Sequence, residues 1–382
     1  MIRKYIFIAA LTLLSMEWVS AQTQKNLVLV GGYTEKMGWV EGTAKGISVY
    51  EFDLQTGKLS LRATSDYIKN PSYLVIHPKT KNVYAVSEVD SALENVGGEL
   101  VAYHFDPQTF KFKRLNAVSS NGTSPCFVSI DKTGRYALVA NYGSGSVAAM
   151  RIEHDGKLIE SQFVDKHVGK GPAPQQTSAH AHNIIASVNN KYLYSNDLGS
   201  DKVFVYNFDA KKGSIEVKTA ISTVPGAGPR QMVFHPSKNL SYSVNELNGT
   251  IDVFEVDTVS GNLRQIQTIS TLVKNKKLPA SSADIRISPS GRFLYASNRA
   301  AHNSIVVYRI DNKTGKLILV GSHATLGKTP RFFTFDPSGK YILIANQDSN
   351  NVVVYKINQT NGLFVEPAII SEVPTPTCLM FY

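Results

Sequence analysis

The sequence predicts an all-β fold, a seven-bladed β-propeller closed by pairing its two chain ends. Three observations carry this. A segment of about fifty residues recurs along the 382-residue chain. Each copy reads as four short strands separated by turn signals. The first and last copies are incomplete in complementary ways, so together they make one blade. Composition agrees, since 18 Tyr and 17 Phe favour strands.

The repeat is anchored at Pro71, Pro125, Ala181, Pro229, Ser282, Pro330 and Pro376, 46 to 56 residues apart. Strand a starts at the anchor, as in Pro125-Cys126-Phe127-Val128 and Pro330-Arg331-Phe332-Phe333. A Gly-containing turn follows, then strand b, a run ending in Asn or Asp. Strand c is rich in Val and Tyr, as in Ile305-Val306-Val307-Tyr308. Turns such as Thr56-Gly57-Lys58, Ser260-Gly261-Asn262 and Thr314-Gly315-Lys316 lead into strand d. The N-terminal copy begins at strand b with Asn26-Leu27-Val28-Leu29-Val30, and the copy at Pro376 holds strand a alone. Pairing them removes the edges that an open array would expose. Residues 22–382 therefore read as a single propeller domain.

Residues 1–21 read as a secretory signal. Arg3 and Lys4 precede an apolar run at 6–14, and Val19-Ser20-Ala21 supplies small residues before a cut. Cleavage after Ala21 and export to a periplasm or beyond are expected. The apolar run is short for a membrane span, so none is expected in the mature chain. Cys126 and Cys378 are too few for a disulfide framework and read as buried free thiols. The net charge is +10, but the basic residues are scattered singly apart from residues 274–277. No basic stripe interleaved with aromatics exists, which argues against nucleic acid and leaves a bias toward anionic small molecules.

In a propeller, strand a lines the channel and strand b runs antiparallel to it. The start of a and the end of b therefore share one mouth. The second position of strand a holds Ser72, Cys126, His182, Arg230, Ala283, Arg331 and Thr377. The position after the end of strand b holds Tyr142, Leu198, Glu246, Arg299 and Gln347 in five blades. His182, Arg230, Arg331, Glu246 and Arg299 should converge, all from the third to the sixth blades in anchor order. Charges at such positions are costly unless paired or used. Converging Arg residues suit carboxylate or phosphate groups, and a nearby His and Glu supply acid–base chemistry. His180, Tyr142, Asp197 and Gln347 complete the candidate binding set. The recurring Asn141, Asn245, Asn298 and Asn346 read as turn caps, with Asp197 as the exception. His180 and His182 lack a third ligand at a readable spacing, so no metal is assigned. Gly143-Ser144-Gly145 lacks the strand-to-helix context of a nucleophile elbow and reads as a hairpin turn.

Ala179-His180-Ala181-His182, Gly228-Pro229-Arg230, Asn245-Glu246, Asn141-Tyr142-Gly143-Ser144-Gly145-Ser146-Val147 and Ser297-Asn298-Arg299 together resemble the lactonase family. This is the seven-bladed propeller type of 6-phosphogluconolactonase, with relatives that cyclise carboxy-muconates. The resemblance covers nearly all of the mature chain. It implies a carboxylic ester hydrolase that opens a sugar lactone at the channel mouth, with no metal or organic cofactor. By resemblance to the muconate-cyclising relatives, His182, Arg230 and Glu246 are catalytic, with Arg299, or else Arg286, as a second Arg. Arg230, Arg299 and Arg331 would hold an anionic sugar lactone or related substrate and stabilise the oxyanion, while Glu246 or His182 would activate water. The alternatives are a non-catalytic carbohydrate- or envelope-binding propeller and a lactonising isomerase. Gln231 stands where the family commonly has His, and Ala179 where it commonly has Pro.

Overall fold

The computed structural model describes residues 26–90, 97–273 and 279–382. They form seven four-stranded antiparallel sheets. In anchor order, blade 1 comprises Leu74–Ile76, Val83–Ser87, Glu99–Asp106 and Lys111–Ser119. Blade 2 comprises Pro125–Ile130, Tyr136–Asn141, Ser146–Ile152 and Leu158–Lys166, and blade 3 Ile185–Ala186, Tyr192–Asp197, Lys202–Asp209 and Ser214–Ser222. Blade 4 runs from Pro229–Phe234 through Leu240–Asn245 and Thr250–Val256 to Leu263–Ser270. Blade 5 is Ser282–Ile287, Phe293–Asn298, Ser304–Ile310 and Leu317–Ala324. Blade 6 is Pro330–Phe335, Tyr341–Asn346, Asn351–Ile357 and Phe364–Glu372. Blade 7 joins the chain ends. Its inner strand, Pro376–Phe381, pairs with Leu27–Gly32, which pairs with Ser48–Phe52 and then Leu59–Thr64. The expected closure is present, with Val28 opposite Phe381. The signal expected at residues 1–21 lies outside the described residues.

Burial follows position in the blade. Strand b is covered on both faces by neighbouring sheets, so Val83–Ser87 and Phe293–Asn298 are buried throughout. Strand d lies at the rim, where Lys111–Ser119 has one buried residue and Ser214–Ser222 none. The apolar clusters are shared between blades. Leu29 of blade 7, for example, packs in one cluster with Leu343 and Val352 of blade 6.

Two recurring polar contacts staple neighbouring blades. The first gives four of the 18 Tyr a structural role. A strand-b Tyr is buried in a low-polarity setting, so its hydroxyl needs a partner. Tyr84, Tyr194, Tyr242 and Tyr295 each donate to the carbonyl of a Gly in the next blade, at Gly156, Gly261, Gly315 and Gly362 (2.7–2.9 Å). Those glycines hold φ between +70° and +86° in the tight turns before strand d. The second staple uses the Asn that ends strand b. Asn141, Asn298 and Asn346 donate to Ser120, Thr271 and Thr325, each the residue just after strand d of the preceding blade.

The structure departs from the repeat in three ways. The inner strands of blades 1 and 3 are shorter than their anchors suggest, starting at Leu74 and Ile185. In blade 3 the Asn183 side chain takes the Asn196 amide (3.1 Å), displacing the regular backbone ladder, and Ala181 makes only an isolated bridge to Asp197. The residue after the anchor is the extra residue of a β-bulge in blades 2, 4, 6 and 7, namely Cys126, Arg230, Arg331 and Thr377. Bulges of this kind re-aim a side chain. Finally, a small hairpin, Lys36–Met37 and Val40–Glu41, is inserted between strands b and c of blade 7.

Candidate functional site

The bulged starts of the inner strands and the residues just past strand b meet in a cup of about 540 Å³. Its wall includes Glu88, Tyr142, His180, His182, Arg230, Glu246, Arg299 and Arg331. Below it the channel is filled. Tyr73 packs on Phe127 and Phe332 (ring centres 4.6 and 5.7 Å), and the Arg286 guanidinium lies 4.1 Å over Phe332. The residual space there is about 10 Å³, room for about one water. The site is a blind cup, not an open pore.

One pole is built on blades 4 and 5. Arg230, only 3% exposed, donates through Nε to Glu246 Oε2 (2.7 Å) and through Nη1 to the Ala283 carbonyl (2.6 Å). Arg299 Nη2 reaches Glu246 Oε1 (2.7 Å). Each Glu246 oxygen thus faces its own guanidinium. Burial pushes the Glu246 carboxyl up, but Arg299, Arg230 and Arg331 outweigh that and hold it below its ordinary value. Burial and the neighbouring Arg299 lower the Arg230 guanidinium to about 10.

The second pole crosses blades 6, 7 and 1. Glu88 Oε2 accepts the hydroxyls of Tyr33 (2.9 Å) and Ser72, and Arg331 Nη2 lies 3.8 Å away. Arg331 also sits beside the rings of Tyr33 and Trp39, 5.5 and 5.6 Å from their centres. Here burial wins. The Glu88 carboxyl is raised above its ordinary value despite Arg331, Ser72, Tyr33 and Arg230. Trp39, on the inserted hairpin, stands edge-on to Tyr33 at 4.9 Å and leaves 55% of its surface open.

His182 lies between the poles. Burial, then Arg230 and Arg331, depress its pKa well below the ordinary histidine value, so the ring is neutral. Its Nδ1 contacts the Gln231 amide (3.4 Å) and the Cys126 thiol (3.7 Å), leaving Nε2 for a bound molecule. His180 stacks on Tyr142 at 4.5 Å and bonds the Tyr142 carbonyl through Nδ1 (2.8 Å). Among the described residues, no three His, Cys, Asp or Glu side chains are arranged to hold a metal ion. Cys126 and Cys378 are buried and unpaired.

Seven of the nine candidate residues line the cup: His182, Glu246, Arg230, Arg299, Arg331, His180 and Tyr142. Asp197 and Gln347 do not. Asp197 is fully buried, accepting from the His180 and Ser200 amides (3.0 and 2.8 Å) and from His167 Nδ1 (2.8 Å). It caps its own turn through the Ser200 amide, whereas the Asn residues at this position donate their side-chain amides, Asn141, Asn298 and Asn346 to the preceding blade. Gln347 is buried in a 3-10 turn, Gln347–Ser349, with its amide nitrogen on Asp348. Arg286, the alternative second Arg, pairs with Asp284 (2.9 Å) below the cup. The charged residues are also not confined to the third to sixth blades, because Glu88 belongs to blade 1. Glu88 and Tyr33 were missed because Ser87 and Gly32 stand where other blades carry Asn. Counting back from the anchor would find them: Gly32 lies opposite Pro376 just as Asn141 lies opposite Pro125.

Comparison with known proteins agrees with this architecture. The profile of the family described as "Lactonase, 7-bladed beta-propeller" matches residues 27–381. A 6-phosphogluconolactonase of Formosa agariphila is 36% identical over 340 residues, covering 88% of this chain and 93% of its own. One from Bacillus subtilis is 31% identical, covering 94% and 98%. The solved structure of a periplasmic gluconolactonase of Pseudomonas aeruginosa superposes with a TM-score of 0.87 at 31% identity, covering 94% and 99%. With the blades, the closure and the match all spanning the same residues, the chain belongs to the lactonase family of seven-bladed β-propellers.

Proposed function

We propose that this chain is a lactone hydrolase that opens a small sugar lactone in the mouth cup. The observation that carries the reading is the convergence of Arg230, Arg299 and Arg331 on one closed-bottomed cavity. Attack on a lactone carbonyl moves negative charge onto its oxygen. Fixed guanidinium donors stabilise that charge at little reorganisation cost. Glu246, facing two guanidinium groups and held ionised, fixes the direction of both. Neutral His182 adds a donor or acceptor at Nε2 without adding charge. Arg331, loosely paired at 3.8 Å, is the cation available to an acid group on the substrate. The open face of Trp39 offers the apolar side of a sugar ring a surface.

Purified residues 22–382, assayed against charged and uncharged aldonolactones, should accelerate ring opening over the spontaneous rate. Arg230→Met should lower kcat by roughly 10²–10³-fold. No acceleration with any lactone in the panel would overturn the reading. We also infer export. Protein recovered from the periplasm should begin at Gln22, and retention of Met1 there would refute the signal.

A further inference from the structure

We propose that Glu88 is the general base of the lactonase reaction, the group that takes the proton from the attacking water. The assignment rests on the lactone-hydrolase reading above. Three carboxylates line the cup, Glu88, Asp90 and Glu246, and the oxygens of the two glutamates are used differently. Glu246 has a guanidinium on each oxygen, which spends its basicity on both sides. Glu88 gathers its contacts on one oxygen. Oε2 receives Tyr33 and Ser72, and Arg331 approaches the same atom. Among the described residues no hydrogen bond to Oε1 is made, and the residue lines the cup. One oxygen is thus anchored and the other is presented to the cavity. Burial also makes this carboxyl the better proton acceptor of the pair, since it is raised where Glu246 is lowered. The titratable and charged groups around it are Tyr33, Arg331, Arg230 and Cys126, with Asp90 on the same wall.

The step balances without a further reactant. Glu88 Oε1 accepts a proton as the water oxygen bonds the lactone carbonyl carbon, and the carbonyl π electrons become an oxyanion facing the guanidinium groups. The oxyanion then collapses, the ring C–O bond breaks, and Glu88 returns its proton to the departing ring oxygen. One water is consumed and one hydroxy acid is formed.

The test compares three variants with an active wild type. Glu88→Gln keeps the shape and the Tyr33 and Ser72 contacts but removes the base. Its kcat should fall by about 10²–10⁴-fold, with KM changed far less. Glu88→Asp retains a carboxyl and should recover part of the loss. Tyr33→Phe removes a donor that favours the charged form, so it should move the acid limb of the kcat profile to higher pH. A wild-type kcat in Glu88→Gln overturns the assignment. So does an unmoved acid limb in Tyr33→Phe, a readout that stands even where Glu88→Gln does not fold. A wild type that opens no lactone would instead remove the hydrolase reading itself.

Discussion

Glu246 and Glu88 are the same side chain on the wall of the same cup, and the fold treats them oppositely. Glu246 sits between two guanidinium groups at 2.7 Å and is held ionised. Glu88 has one guanidinium at 3.8 Å and two hydroxyls, which do not repay its burial. Burial pushes both carboxyls up, and Glu88 is the more enclosed, 6% exposed against 19%, while Glu246 has two guanidinium groups within contact distance and Glu88 one at 3.8 Å. Environments that push two carboxyls apart separate an electrostatic role from a proton-transfer role.

The largest expected effect comes from breaking the Glu246 pole. Glu246→Gln leaves Arg230 buried beside Arg299 with no anion between them. Removing one partner of such a group costs about 3–5 kcal/mol, so a clear loss of Tm at pH 7 is expected. Glu88→Gln should move Tm much less, because that carboxyl resists ionisation already. Equal losses in the two variants would erase the contrast.

The pH dependence sharpens it. Glu246 has a folded pKa below its unfolded value. Its contribution is present above about pH 4.5 and is lost as pH falls through the lower folded value. Glu88 has a raised folded pKa, so its contribution is full below about pH 4.5 and is lost as pH rises through the folded value. Thermal melts between pH 3 and 7 should therefore show a flatter acid limb for Glu246→Gln than for wild type. Removing the Glu88 carboxyl should change the slope on the neutral side instead.

Two smaller effects follow. Arg331 is the strongest charge favouring ionised Glu88. Arg331→Met should shift the acid limb of kcat upward by more than Tyr33→Phe does, measured at saturating substrate. Trp39→Ala touches neither carboxylate. Losing one apolar contact face of about 1 kcal/mol should raise KM roughly fivefold and leave the pH profile in place. A shifted profile would tie the hairpin to the Arg331 pole.

The blades were legible because each carries its own turn chemistry, and Gly57, Gly261 and Gly315 take the positive φ that such turns require. The pole on blades 4 and 5 was legible for the same reason, since Asn245 and Asn298 mark the strand ends beside Glu246 and Arg299. The other pole was hidden by Ser87 and Gly32, which keep the register but drop the marker. Trp39 was hidden because its hairpin lies outside the repeat altogether. Asp197 was placed at the correct position but turned the wrong way. Spacing fixes where a residue sits along a strand, while the amides of His180 and Ser200 decide where its carboxylate points.

The bulges at Cys126, Arg230, Arg331 and Thr377 separate what is inherited together from what can vary. An extra residue outside the ladder carries no cross-strand partner, so exchanging its side chain leaves strand pairing untouched. Three of these positions, Cys126, Arg230 and Arg331, line the cup and offer interchangeable slots around it. A lineage, or an engineer, can rewrite the chemistry of the cup one slot at a time while the ring that holds it stays closed.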